Sequence, residues 1–295
     1  MGVVKAGVGE NTFDIVYGVP SLYHERELSM TKRVLAIGAH PDDIEFMMAG
    51  TLLMLARAGY ELHVFVVANG SCGSATDDRD AVVRIRLAEA RAAARELGAR
   101  FYEPVVDDLE IRYDMTLLRQ VGAVVRQARP HILLTHPVED YMEDHMETCR
   151  LAVSAAFARG MRNFITVPET APYEESVTLY HALPYGLRDQ MGRRVIPDLY
   201  VNIAPVLDSK RNALACHESQ KRWLDKSQGL DSYLQTMADM SREVGRWSSR
   251  FEYAEGWQRH AHLGFCDEHA NPMHEDLGPN AHSEIAHREH PFQQA

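Results

Sequence analysis

Four short apolar runs, RVLAIGA (33–39), ELHVFVVA (61–68), RFYEPV (100–105) and HILLTH (131–136), alternate with stretches of helix length. Runs of this kind read as strands buried on both faces, and strands alternating with helices imply a mainly parallel sheet with right-handed crossovers. The pattern predicts a helix from Asp42 or Asp43 to Gly59, a second from about Ala81 to Leu97 with Gly98 as its stop, a third over 115–128, and a fourth over METCRLAVSAAFARG (146–160). The expected fold class is therefore α/β, a Rossmann-like, mainly parallel sheet flanked by helices. Ligands of such sheets bind beyond the carboxyl ends of the strands. Two polar loops leave strands in this way, at His40 and at His136–His145, so the sheet can bring them together although they are far apart in the chain.

The second half is less regular. LYHAL (179–183) and DLYVNI (198–203) suggest strands, 205–224 a helix, and 231–259 a partly helical stretch. Residues 1–30 show no clear period and are expected to form an N-terminal arm. Residues 31–266 are expected to form the main domain. Residues 267–295, polar and rich in His and Pro, are expected to be a poorly ordered tail or a segment wrapping a second subunit. Arm and tail together suggest a homo-oligomer. The net charge of −11 repels phosphate backbones, which argues against nucleic acid as a partner. The four cysteines are scattered and form neither a disulfide framework nor a thiolate zinc site. There is no apolar signal core and no run approaching the ~20 apolar residues that span a bilayer, so a cytoplasmic protein without a membrane partner is expected.

AIGAHPDDIEF (36–46) ends the first strand with groups that are costly to bury. A dinucleotide site would place G-x-G-x-x-G there. Imidazole and carboxylates instead suit a cation, because zinc takes His nitrogen and carboxylate oxygen and a catalytic site keeps three protein ligands. His40 and Asp43, three residues apart, can share one ion. His145 in the acidic loop after the fourth strand is the best candidate for a third ligand. Asp42 is then free to take a proton from metal-bound water. A plain helix cap by one of the aspartates is the competing reading, compatible with the first.

A-H-P-D-D-x-E after the first strand, with a later D-H opening a helix, resembles the LmbE/PIG-L superfamily of metal-dependent N-deacetylases. The resemblance extends to NGSCGS (69–74), RLAEARAAARELGA (86–99), KRNALACHESQ (210–220) and EYAEGW (252–257). It makes 31–266 the catalytic domain and implies a hydrolase that removes an acetyl group from an N-acetylated sugar or related polar amide. It implies His40, Asp43 and His145 as metal ligands, Asp42 as general base, and Zn²⁺, or Fe²⁺, as cofactor. Arg86 is the implied substrate arginine, and Glu45, Tyr141 and His217 are further substrate-binding candidates, with Asp144 orienting a neighbouring histidine. Several members have a histidine where this chain has Met142. His136, Tyr141 or His217 are the residues that could replace it. The superfamily also contains a hydratase of an unsaturated dicarboxylic acid, which is the alternative activity.

Overall fold

The computed structural model describes residues 31–222 and 232–284. Five strands, β1 (Arg33–Gly38), β2 (Glu61–Val66), β3 (Arg100–Tyr102), β4 (Ile132–Thr135) and β5 (Thr178–Ala182), run parallel in the order β3-β2-β1-β4-β5. Three more, β6 (Leu199–Asn202), β7 (Ala254–Arg259) and β8 (Ala281–Ser283), extend the sheet beyond β5 in the order β7-β6-β8, each antiparallel to its neighbour. The helices are α1 (Asp43–Met47), α2 (Ala49–Arg57), α3 (Arg79–Leu97), α4 (Met115–Ala128), α5 (Glu143–Phe157), α6 (Leu207–Ala215), α7 (Ser232–Ser248) and α8 (Pro272–Leu277).

Alternation along β1 explains the layers. Val34 and Ala36 join a core cluster with Leu52 and Leu55 of α2 and Ala213 of α6. Leu35 and Ile37 point the other way, into a cluster with Val121 of α4 and Leu151 of α5. Both faces of the strand are thus buried, which is why its sequence is continuously apolar. Helix α3 starts where Asp78 accepts a hydrogen bond from the Ala81 amide at 2.9 Å and ends at Gly98 with φ of 68°.

Two expectations are corrected. The first predicted helix is broken at Met48 into α1 and α2. Glu255 of β7 causes the restart, since its carboxylate accepts the amides of Gly50 (2.9 Å) and Thr51 (2.7 Å). Lys210 of α6 donates to the same carboxylate at 2.6 Å, and both side chains are buried. A Cβ on residue 50 would lie 2.8 Å from Glu255 Oε1, so this approach requires glycine. The second correction concerns the tail drawn from residue 267. Met273 and Leu277 of α8 enter the first core cluster, and β8 pairs with β6. Ordered structure therefore continues through Glu284. The signal was weak because PMHEDL offers two apolar residues four apart and nothing longer. The expected arm over 1–30 and the last eleven residues of the tail, 285–295, lie outside the described residues. Among the described residues no helix is long and apolar enough to cross a membrane.

A histidine pair, with His181 buried and His260 partly so, joins β5 to the end of β7. His181 of β5 is 2.8 Å from the His136 carbonyl through Nδ1 and 2.9 Å from His260 Nδ1 through Nε2. Burial, reinforced by the neighbouring His260, pushes the His181 pKa down to about 4 despite the carbonyl contact. The unfolded chain then binds a proton near pH 6.5 that the folded chain refuses, so stability falls as pH drops from about 6.5 to about 4. The contribution lost across that window is about 3 kcal/mol. Urea unfolding at pH 7 and pH 4.5 is expected to show a smaller acid loss for His181→Gln than for the unmodified chain.

Candidate metal centre

The turn after β1 is organised by one carboxylate. The amides of Ala39 and His40 both donate to Asp43 Oδ2, at 3.1 and 2.7 Å. Asp42 has φ of 105°, a left-handed conformation that costs a non-glycine residue about 1–3 kcal/mol and that concentrates at functional positions. Asp42 makes no capping bond to α1. Both aspartates instead line a cavity of about 510 Å³ at the carboxyl ends of the strands.

The sheet brings His40, Asp43 and His145 together, with one donor atom from each within 4.8 Å of the others. His40 Nδ1 lies 3.6 Å from Asp43 Oδ2, and His145 Nε2 lies 3.4 Å from Asp43 Oδ1. Two donors about 2.0–2.1 Å from a tetrahedral ion stand about 3.4 Å apart, so the set has the right size for a divalent metal. The far nitrogen of each histidine faces a carboxylate. His40 Nε2 bonds Asp144 Oδ2 at 2.8 Å, and His145 Nδ1 lies 3.1 Å from Asp140 Oδ1. Such partners orient metal-bound imidazoles. Asp144 thus serves His40, across the site, rather than its neighbour His145. Asp140, which reads in sequence as ordinary loop polarity, is the group beside His145.

Electrostatics agree with a cation site. Burial opposes charge on His40, but Asp144 and Asp43 outweigh it and push its pKa up to about 9. For His145, burial is outweighed by Asp43 and Asp140, and the pKa is pushed up to about 10. The cluster is negative enough to hold two extra protons above neutral pH, and a divalent ion would displace them. A second donor set, His136, Asp140 and His145, shares one residue with the first but is wholly buried. His136 Nε2 there already accepts the Ala39 amide at 2.9 Å. The first set, partly open to the cavity, is the one a substrate can reach.

Asp42 is held from two sides. Tyr233 of α7 donates to Oδ2 at 2.7 Å, and Arg86 Nη2 lies 3.4 Å from Oδ1. Burial raises the Asp42 pKa against the opposing charges of Arg86 and His217. Arg86 is itself buried, bonding the carbonyls of Pro41 (2.5 Å) and Gly70 (3.5 Å). A Cβ on residue 73 would stand 2.3 Å from Arg86 Nη1, so Gly73 makes room for the guanidinium. Tyr233 carries no motif in the sequence and is found only through the fold.

The remaining candidates separate. Tyr141 lines the cavity with its ring edge-on to His145, at 5.6 Å between centroids. Met142 is also in the wall. Glu45 and His217 are absent from it; both are buried, with His217 Nε2 3.3 Å from Glu45 Oε2. They form a buried pair whose His217 end acts electrostatically on Asp42.

The GlcNAc-PI de-N-acetylase (PIG-L) family model matches residues 35–157, which hold both candidate metal-donor sets. That match, together with deacetylase relatives at 26–27% identity, supports the resemblance to the LmbE/PIG-L superfamily. It is 27% identical over 239 residues to 4-oxalmesaconate hydratase of Pseudomonas putida, covering 77% of this chain and 88% of that protein. It is also 27% identical over 237 residues to diacetylchitobiose deacetylase of Thermococcus kodakarensis, covering 76% of this chain and 82% of that protein. The crystal structure of 4-carboxy-2-hydroxymuconate hydratase from Pseudomonas putida superposes with a TM-score of 0.65 at 23% identity, over 77% of this chain and 95% of that one, and shows the shared fold. Lys210 and Glu255, from two motifs of the superfamily resemblance, form the buried pair at the start of α2.

Replacing Asp140 by asparagine is expected to weaken metal binding by about 10–100-fold, because His145 loses its carboxylate partner. Competition against a fluorescent zinc chelator measures this directly.

Proposed function

We propose that the chain is a metal-dependent hydrolase that removes an acyl group, acetyl in the simplest case, from a small N-acylated molecule such as an amino-sugar conjugate. His40, Asp43 and His145 would hold the ion, zinc or ferrous iron. A divalent ion held there would supply Lewis acidity, polarising a carbonyl and making water acidic near neutral pH. Asp42 takes the proton. Its Oδ1, held only by the long 3.4 Å contact to Arg86, is the freer oxygen, since Oδ2 accepts the Tyr233 hydroxyl. Its raised pKa suits a group that must accept a proton and then release it. Met142 cannot donate a proton, so the one gathered by Asp42 is returned to the leaving nitrogen. Buried His136, with Nε2 accepting the Ala39 amide, keeps a neutral ring.

A second reading has equal sequence support, because one 27% relative is a hydratase whose name indicates an unsaturated carboxylic acid as substrate. The observation that favours amide hydrolysis is the state of the cavity's cation. Arg86 is the cavity's sole Arg or Lys among the described residues, and it is occupied by Asp42 and two carbonyls. A dicarboxylate would find no uncommitted positive side chain there. The test is acetate release from N-acetylated amino sugars by zinc-loaded protein, run beside loss of ultraviolet absorbance from an unsaturated dicarboxylate. Acetate release with a silent second assay supports the proposal; the reverse result overturns it.

A further inference from the structure

The cavity is larger and less polar than a bare acetamido sugar requires. Its volume of about 510 Å³ is in the range that takes a whole drug-sized ligand. One wall is a continuous aromatic arc. Tyr233, on the base, packs against Phe46 at 5.7 Å between ring centroids; Phe46 meets Tyr185 at 5.4 Å; Tyr185 meets Tyr141 at 6.1 Å; and Tyr141 meets the ligand histidine His145 at 5.6 Å. The arc therefore runs from Tyr233, which bonds Asp42, to His145. Tyr141 and Tyr185 remain 54% and 42% exposed, so their faces are available to a ligand.

Three other polar side chains of the lining, Asp108, Gln220 and Arg86, are committed inside the protein. Asp108 accepts the amides of Gly70 and Cys72 at 2.7 and 2.9 Å. Gln220 Nε2 donates to the Gly73 carbonyl at 2.9 Å. Arg86 is held by Asp42 and by the carbonyls of Pro41 and Gly70. A hexosamine brings several hydroxyls that lose water on entering, and few of these groups can replace it. An aryl or alkyl body gains from the same wall through its apolar area.

We infer that the substrate is an amide with an apolar or aromatic body beside the scissile bond, and that Tyr141 and Tyr185 are its specificity-determining contacts. The inference rests on the amide-hydrolase reading for turnover, but it can be tested through binding alone. The apolar body can belong to the amine or to the acyl group, and two compounds separate these: N-acetyl-2-phenylethylamine and N-octanoylglucosamine. N-acetylglucosamine is the reference.

Calorimetry on zinc-loaded Asp42→Asn protein is expected to give a Kd at least about tenfold lower for one of the two apolar compounds than for the reference, and which one identifies the side that carries the apolar body. Tyr141→Ala and Tyr185→Ala, introduced separately at these half-exposed positions, are expected to shrink that preference, weakening the preferred compound more than the reference. Neither apolar compound binding more tightly than N-acetylglucosamine overturns the inference, as does a preference that both tyrosine variants retain. Product release by the unsubstituted protein is measured in parallel. An apolar binding preference without hydrolysis of any amide removes the amide-hydrolase reading and leaves the apolar site standing. Hydrolysis without the preference does the opposite.

Discussion

Asp42→Asn is expected to lower kcat/KM by about 10²–10⁴-fold, the usual share of a positioned general base, with metal content and fold retained. The substitution suits this test because asparagine is among the few residues that accept positive φ readily, and Asp42 sits at 105°. The Tyr233 hydroxyl can still donate to an amide oxygen in place of Oδ2. Only proton acceptance is lost. The proposed metal donors, His40, Asp43 and His145, are untouched, so elemental analysis should return the same stoichiometry for both proteins. A variant that keeps more than about a tenth of the activity would move the base elsewhere, since an uninvolved carboxylate is the only way to spare two decades of rate.

Lys210→Met is expected to destabilise the fold by about 3–5 kcal/mol, the typical result of removing one partner of a buried ion pair. Lys210 and Glu255 are 1% and 4% exposed and lie 2.6 Å apart. Methionine fills much of the lysine volume, so the loss comes from charge rather than from a cavity. It leaves the Glu255 carboxylate in the interior with only the amides of Gly50 and Thr51. Those amides begin α2, just beyond the short helix that follows His40 and Asp43. Urea denaturation read by circular dichroism measures the loss. A change below about 1 kcal/mol would mean that the pair is as solvated as a surface bridge.

The parallel half of the sheet and the turn at its centre are legible in the chain because both rest on local signals. Strands buried on two faces read as apolar runs, and a helix stop such as Gly98 is a single residue. His40, Asp42 and Asp43 are neighbours, so their chemistry appears as one motif. His145 is recognisable because Asp144-His145 follows a fourth strand. The C-terminal boundary was not legible, because α8 and β8 are only six and three residues long, and α8 is held by the core cluster and β8 by the strand it pairs with.

Tertiary structure alone decided the partners of these groups. Asp144 bonds His40 and Asp140 faces His145; nothing in the loop's spacing distinguishes that pairing from another. Tyr233 reaches Asp42 from a helix 191 residues away in sequence. Glu45 and His217, far apart in sequence, pair with each other in the interior. The chain by itself determined which donors exist and where the strand ends place them. Orientation, protonation and the apolar lining depend on contacts between distant segments, whose pairwise energies have no period or spacing to betray them in one dimension.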